Sequence, residues 1–229
     1  VAFRREQERL VKVPGTVYRN SGDAAKALSD APAGKVFTAE YYVPHLAHAT
    51  MEPPVATALV TGDTCEIWTS VQNPQAALDG VAAQLGLKPE AVQVHPLLIG
   101  GGFGRKSKPD YVTEAAMVAK QMEGTPVKLV WTREDDLQHD YLHTVSVERL
   151  EAVVNAQGRP TTWLHRTAAP SILSLFVEGG KGQMDLEAGM TAINVPYDIP
   201  NLRLEGAEVE AHARIGWFRS VSNIPHAFA

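Results

Sequence analysis

The sequence has one cysteine, Cys65, among its 229 residues. A disulfide within the chain, a Cys-x-x-Cys zinc site and a four-cysteine iron–sulfur cluster all need more cysteines, so each is excluded. If the protein transfers electrons, a partner has to carry the redox centre. Cys65 also lies within a predicted strand, which makes it a poor candidate for a catalytic nucleophile.

The sequence also lacks a long apolar run, an excess of positive charge and an initiator methionine. No run approaches the roughly 18 apolar residues that cross a bilayer, and the first residues contain no apolar signal core. A formal net charge of −5 gives no broad positive field, which argues against a dedicated nucleic-acid binder. Because the chain begins without Met and ends without a closing element, we expect an excised segment of a longer protein.

Hydrophobic residues make up 45% of the chain, which is enough to bury a core. Their spacing predicts strands at 36–43, 55–61, 65–70, 91–99, 127–131 and 203–211, a long hairpin turning at 155–158, and helices at 3–13, 23–28, 74–85 and 111–122. Hairpins are too frequent for a purely parallel sheet. The predicted fold class is therefore α+β, with helices packed on one face of mixed sheets.

Changes of character along the chain predict three parts. Residues 1–34 are expected to be a linker or the tail of a preceding domain, residues 35–150 a first unit, and residues 151–229 the truncated start of a second unit. A looser stretch, Gly179-Gly180-Lys181-Gly182, falls in the last part.

A glycine-rich loop, Gly100-Gly101-Gly102-Phe103-Gly104, directly follows a predicted buried strand and precedes two cations. Glycines at a strand-to-helix junction can present bare backbone N–H groups to an anion. The phosphate-loop and dinucleotide patterns both require glycine where this chain has Arg105, so both fail. An anion cradle and a tight packing turn remain open, and Phe103 is either buried in the core or stacked on a flat ligand.

Two clusters of polar residues have ordinary structural interpretations. His45, His48 and Glu52 are close enough in sequence to suggest a metal site, but the neighbouring prolines prevent the helix that would align them, which favours structural histidines. The stretch from Arg133 to His143 is charge-rich and is typical of a solvated helix start, with His143 as a candidate pocket residue.

Two further stretches could border a ligand. Gln72 lies between a strand end and the helix cap Asn73, at an edge where sites in sheet proteins often form. Residues 217–223 mix aromatic, cationic and small polar side chains without periodicity, as both ligand-lining loops and plain surface loops do.

Four segments together resemble the xanthine oxidase and aldehyde oxidoreductase family in order and spacing, from about residue 35 to the end. The resemblance is closest to the isoquinoline 1-oxidoreductase beta-subunit type. The segments are His48-Ala49-Thr50-Met51-Glu52-Pro53, Trp68-Thr69-Ser70-Val71-Gln72-Asn73-Pro74-Gln75, Gly100 to Gly104, and Trp131-Thr132-Arg133-Glu134-Asp135.

The resemblance implies two molybdopterin-binding units around a molybdenum ion held by a pterin cofactor in its cytosine dinucleotide form. It implies hydroxylation of an aldehyde or N-heterocycle with water-derived oxygen. Gln72 would hydrogen-bond the metal's oxo group and His143 would contact the small-molecule substrate. The residues implied to contact the cofactor are Gly101, Gly102, Phe103, Gly104, Arg105, Phe218, Arg219, Ser220 and Val221, and no side chain is implied as a metal ligand.

Two departures from the family pattern bear on activity. Arg105 stands where many members have glycine, so it either pairs with a cofactor phosphate or is a local variant. The family's general-base glutamate lies in a Gly-x-Gly-Glu motif, which this sequence does not contain. The resemblance thus predicts a portion that is inactive alone, a non-catalytic assembly module being the alternative.

The resemblance also implies partners and a location. The expected partners are the rest of the large subunit, an iron–sulfur small subunit and a haem electron acceptor. Export to the periplasm is expected from the isoquinoline-type relatives, with the cytoplasm as the alternative.

Overall fold

The computed structural model describes residues 2–175 and 181–229, so Gly179 and Gly180 of the predicted looser stretch lie outside the described residues. The strands are β1 (Thr16–Ser21), β2 (Val36–Val43), β3 (Val55–Thr61), β4 (Thr64–Thr69), β5 (Val92–Pro96), β6 (Val127–Val130), β7 (Ser146–Val154), β8 (Pro160–Ala168) and β9 (Asn201–Gly206). The α-helices are α1 (Ala2–Leu10), α2 (Ala24–Ser29), α3 (Pro74–Leu85), α4 (Asp110–Gln121), α5 (Arg133–Gln138), α6 (Asp185–Ala188) and α7 (Asn223–Phe228).

The chain forms two compact units that interleave in sequence. Unit 1 comprises Val1–Leu46, His143–Gly216 and Ser220–Ala229, and unit 2 comprises Ala47–Leu142 and Trp217–Arg219. The predicted boundaries at 34/35 and 150/151 differ from this division. The physical reason is strand pairing, because β2 is antiparallel to β7 along its whole length, from Val36 opposite Val153 to Val43 opposite Ser146.

Unit 1 is built on a five-stranded mixed sheet in the order β1-β9-β8-β7-β2. The β7–β8 hairpin turns where the sequence predicts, and the Asn155 side chain accepts hydrogen bonds from the N–H groups of Gln157 and Arg159, each at 3.0 Å. Strand β1 lies within residues 1–34, for which the sequence predicts a linker or the tail of a preceding domain. It pairs with β9, a strand almost 190 residues away, and its local pattern carries no sign of that pairing.

Unit 2 is built on a four-stranded sheet in the order β5-β4-β3-β6, in which only the β4–β5 pair is parallel. Helices α3 and α4 pack with this sheet around a core that includes Ile67, Val81 and Tyr111. The predicted start and end of helix α3 are confirmed. The Asn73 side chain caps the helix by accepting from the Ala76 N–H at 3.1 Å, and Gly86 ends it with a left-handed backbone conformation. The α+β class with mixed sheets is confirmed.

None of the helices among the described residues has the length and apolar character required to cross a membrane.

Candidate functional site

Parallel strands β4 and β5 of unit 2 end at the same edge of the sheet, and the two predicted site segments follow them there. Gln72 comes shortly after β4, and the glycine loop comes shortly after β5. The Gln72 backbone N–H donates to the carbonyl of Lys106 at 2.9 Å, and its side-chain Oε1 accepts from the N–H of Gly104 at 2.9 Å. The structure thus joins Gln72 to the loop, as the resemblance implies for a shared site.

The orientation of the Gln72 amide follows from its bond to Gly104. Because a backbone N–H can only donate, the side-chain atom facing it is the oxygen. The side-chain nitrogen Nε2 therefore remains as a donor, and no described residue accepts from it. Gln72 is exposed, so this donor is accessible from outside unit 2.

Close approach explains why two of the loop positions are glycine. A Cβ at position 102 would lie 2.3 Å from Gln72 Oε1, and a Cβ at position 104 would lie 1.8 Å from the carbonyl oxygen of Trp217. Gly104 also has a φ of 102°, a region that residues with side chains rarely adopt. Any other residue at either position would push Gln72 or the 217–219 segment away from the loop.

The loop leaves several backbone donors unused. Within residues 2–175 and 181–229, no acceptor is bonded to the N–H groups of Gly101, Gly102 or Phe103, whereas the neighbouring Gly100 and Gly104 N–H groups donate to side chains. Adjacent free N–H groups in a glycine-rich turn suit an anionic or oxo group. The donor set of the loop together with Gln72 Nε2 therefore fits a polar, anionic cofactor.

Phe103 occupies an unusual conformation beside Arg219. Its φ of 53° is left-handed, which is uncommon for a large side chain and is typical of positions held by their surroundings. The Arg219 N–H donates to the Phe103 carbonyl at 2.9 Å, and the guanidinium lies 4.7 Å from the ring centroid. Phe103 is thus half-buried, with the Arg219 cation over its ring. The sequence left two alternatives, burial in the core and stacking on a flat ligand, and this arrangement lies between them.

Arg105 is fully buried beneath the loop and paired within unit 2. Its guanidinium makes two hydrogen bonds of 2.9 Å to the carboxylate of Asp110, and its Nε lies 3.3 Å from Asp140 Oδ1. Of the two alternatives for this residue, the geometry favours the local variant, because a phosphate would have to compete with two carboxylates for the same donors. Asp110, the first residue of α4, is thus engaged by Arg105.

The acidic residues after Arg133 were predicted to form a solvated helix start, which is wrong for two of them. Asp136 and Asp140 are 1% and 5% exposed. Burial raises the pKa of Asp136, and repulsion from Asp140 adds to the effect. Burial would raise the pKa of Asp140 too, but hydrogen bonds from His48 and the charge of Arg105 lower it below its ordinary value.

The His48 ring completes this buried group. Its Nδ1 lies 2.9 Å from Asp140 Oδ1, its Nε2 lies 2.5 Å from the carbonyl oxygen of Trp217, and the Phe218 ring packs 4.9 Å away. The His48 ring is thus bonded on both sides by groups of unit 2. No group of three or more His, Cys, Asp or Glu residues in the described ranges could hold a metal ion.

A second buried ion pair, which sequence reasoning missed, supports the start of the glycine loop. The fully buried Lys106 donates to Glu52 Oε2 at 2.5 Å and to Ser70 at 3.1 Å, and Glu52 also accepts from the Gly100 N–H at 3.1 Å. Burial would raise the pKa of Glu52, but the bonds from Lys106, Ser70 and Gly100 lower it. No local pattern marks Lys106 as buried.

Three other predicted site residues belong to unit 1. His143 is fully buried, its N–H donates to the carbonyl of Leu46 at 2.8 Å, and its own carbonyl lies 2.6 Å from His45 Nδ1. Ser220 and Val221 have φ values of 63° and 51°, and a β-branched residue in that region is a marked outlier. The cofactor and substrate roles of these residues remain predictions.

The chain is similar to several known proteins. A family model described as "Molybdopterin cofactor-binding domain" matches residues 8–229. The chain is 30% identical over 226 residues to a membrane-bound aldehyde dehydrogenase [pyrroloquinoline-quinone] of Gluconacetobacter polyoxogenes, covering 95% of this chain and 29% of that protein. It is 30% identical over 185 residues to the beta subunit of isoquinoline 1-oxidoreductase of Brevundimonas diminuta, covering 79% of this chain and 24% of that protein.

Solved structures show the same fold. Aldehyde oxidoreductase from Desulfovibrio gigas aligns with a TM-score of 0.73 at 23% identity, over 94% of this chain and 23% of that one. Quinoline 2-oxidoreductase from Pseudomonas putida 86 aligns with a TM-score of 0.67 at 18% identity, over 92% of this chain and 27% of that one. The chain thus spans about a quarter of the length of the relatives it matches. Since the family model covers nearly all of it, the chain belongs to the molybdopterin cofactor-binding domain family found in molybdenum oxidoreductases of the aldehyde oxidoreductase and xanthine oxidase type.

Proposed function

We propose that this chain forms part of the wall around a molybdenum–molybdopterin cofactor in an oxidoreductase that hydroxylates an aldehyde or an N-heterocycle with oxygen from water. The observation that carries the proposal is the glycine loop joined to Gln72, with free backbone donors on the loop and a free amide donor beside them. Relatives named for aldehyde and isoquinoline oxidation give the two substrate classes.

Each group at this edge of unit 2 has a role in the proposal. The N–H groups of Gly101 to Phe103 bind anionic atoms of the cofactor, which we propose is the cytosine dinucleotide form. Gln72 Nε2 would donate a hydrogen bond to an oxygen at the metal centre of the bound cofactor, and the rings of Phe103 and Phe218 would give the cofactor apolar contact. When bound, the cofactor supplies the redox-active metal that accepts electrons from the substrate. The strained backbone at Ser220 and Val221 supports their place among the cofactor contacts.

The proposal also assigns tasks to residues and partners outside this sequence. The family's general-base glutamate has no counterpart in a Gly-x-Gly-Glu motif here, so the proton acceptor must come from elsewhere in the large subunit. Electrons leave through an iron–sulfur small subunit and a haem acceptor. Two relatives are named as single subunits of larger enzymes, isoquinoline 1-oxidoreductase and nicotinate dehydrogenase, which supports an assembly of several chains. His143 is proposed as a substrate contact.

The direct test is metal and cofactor analysis of the protein purified from its source with the subunits that accompany it. We expect molybdenum and a pterin released with cytosine nucleotide. One relative is named for pyrroloquinoline quinone, so extraction of that quinone without molybdenum would contradict the proposal.

A variant separates binding from chemistry. Gln72→Ala removes the exposed amide donor but leaves the loop backbone, so molybdenum content should persist while kcat falls about tenfold or more, as expected when a donor to a developing charge is lost. The matched control is Gln75→Ala, because Gln75 is exposed on α3 and bonds only Asp79, at 2.8 Å. Equal activity of the two variants would remove Gln72 from the site.

A non-catalytic assembly module is the second candidate function. Leu97, Leu98 and Ile99, which lead into the glycine loop, are 54%, 98% and 39% exposed. Exposed apolar residues in a row are typical of surfaces that another polypeptide covers. This function is favoured if the purified assembly contains the chain but neither molybdenum nor pterin.

A further inference from the structure

The His48 ring lies between two groups that can only accept hydrogen bonds. Nδ1 faces the carboxylate of Asp140 at 2.9 Å, and Nε2 faces the backbone carbonyl of Trp217 at 2.5 Å. A neutral imidazole has one N–H and one bare nitrogen, so it would set a lone pair against one of these oxygens. Both contacts are satisfied only when both ring nitrogens carry protons.

The contact of His48 with Trp217 matters because residues 217–219 pack directly against the glycine loop. The Trp217 carbonyl occupies the space that a Cβ on Gly104 would need, and the Arg219 N–H donates to the Phe103 carbonyl. The Arg219 guanidinium then lies over the Phe103 ring. His48 holds this segment in place by bonding the Trp217 carbonyl, and the adjacent Phe218 ring packs on the imidazole.

We propose that His48 is a positioning residue that, as a doubly protonated imidazolium, ties Asp140 to the Trp217 carbonyl and so clamps residues 217–219 onto the glycine loop. The charged groups facing or near the ring are Asp140 after α5, Asp136 on α5, and Arg105 after the loop. The clamp exists in the chain itself and does not depend on bound cofactor.

The protonation state can be measured directly in the unaltered protein. With ¹⁵N-labelled histidine at neutral pH, both ring nitrogens of His48 should give protonated signals, identified by their loss in His48→Gln. A single protonated nitrogen would overturn the proposal.

A variant gives a second, independent readout. In His48→Gln the protection of the Arg219 amide should fall about tenfold, because a charge-assisted hydrogen bond is lost. The matched control is His95→Gln, since His95 lies in the same unit, stacked on Trp68, without a contact to residues 217–219. Amides in the core of α3 report whether each variant is folded. An Arg219 amide equally protected in folded His48→Gln and wild type would contradict the clamp.

A consequence for the cofactor rests on the proposed function. If the loop holds molybdopterin, His48→Gln should lose molybdenum on dialysis faster than His95→Gln. Loss of Arg219 protection without faster loss of molybdenum would leave the clamp standing and count against the cofactor assignment. The two hypotheses therefore fail separately.

Discussion

Both units bury charged and titratable side chains, but the two groups are organised differently. In unit 1, Glu148 on β7 accepts from Thr167 at 2.9 Å and bonds His165 at 2.8 Å, and all three lie on a single hairpin. In unit 2, the four residues Arg105, Asp110, Asp140 and His48 come from three separate segments, around positions 48, 105–110 and 140. The unit 1 group lies on strands that are already held together by backbone hydrogen bonds. The unit 2 group instead joins loops that have no backbone strand pairing to hold them in place.

This difference predicts that the largest loss of stability follows the removal of Arg105. Arg105→Met leaves the carboxylates of Asp110 and Asp140 without the guanidinium that they share, which costs about 3–5 kcal/mol of unfolding free energy. Arg149→Met in unit 1 is the control, because Arg149 pairs with the part-exposed Glu40 and Glu151 and should cost about 1 kcal/mol or less. Urea unfolding measures both. Equal losses would mean that the buried network holds the loops no more firmly than a surface pair.

The next effect concerns how tightly the loop is packed. Gly104→Ala adds a Cβ that would lie 1.8 Å from the Trp217 carbonyl and forces an unfavourable φ, so we expect a loss of about 2–3 kcal/mol. Gly124→Ala has a similar left-handed φ of 75° but open space around it, and should lose only about 1 kcal/mol. The difference between the stability losses of the two variants reports the cost of the close contact with Trp217. Similar losses would show that residues 217–219 move away without cost.

The two units should also respond to acid at different pH. Burial lowers the pKa of His226 in unit 1 below its ordinary value, so the unfolded chain takes up a proton there before the folded chain does. Stability supplied by neutral His226 is therefore present above about pH 6.5 and falls as the pH drops below it. Asp140 in unit 2 has a lowered pKa, so its contribution persists until the pH falls below about 4.

The measurement is unfolding free energy between about pH 7 and pH 5 in wild type and His226→Gln. As the pH falls, His226 should lower the unfolding free energy of the wild type by at most about 1.4 kcal/mol per pH unit. The variant lacks this contribution, so its unfolding free energy should depend less on pH by the same amount. A variant slope identical to wild type would show that His226 takes up its proton equally in both states.

The same contrast explains what the sequence could predict. Helix α3 and the β7–β8 hairpin were predicted because Asn73, Gly86 and Asn155 act on neighbours a few residues away. The burial of Arg105 could not be predicted in this way, because its partner Asp140 lies 35 positions further along and neither residue carries a local signal. For the same reason the pairing of β1 with β9 could not be predicted from the sequence. The site emerged from the order of several motifs, while the contacts that support it were visible only in three dimensions.

The smallest expected effect lies in the loop itself. Phe103→Gly relieves a left-handed backbone, a gain of about 1 kcal/mol, and loses the contact of the ring with Arg219, an exposed cation–π pair worth about 0.5–1 kcal/mol. The unfolding free energy should therefore change by less than about 1 kcal/mol. If the ring were held mainly for stability, the variant would instead lose several kcal/mol. A folded, stable Phe103→Gly protein that loses molybdenum readily would separate the two regions most clearly, because it would assign fold stability to the network beneath the loop and the proposed cofactor contact to the Phe103 ring.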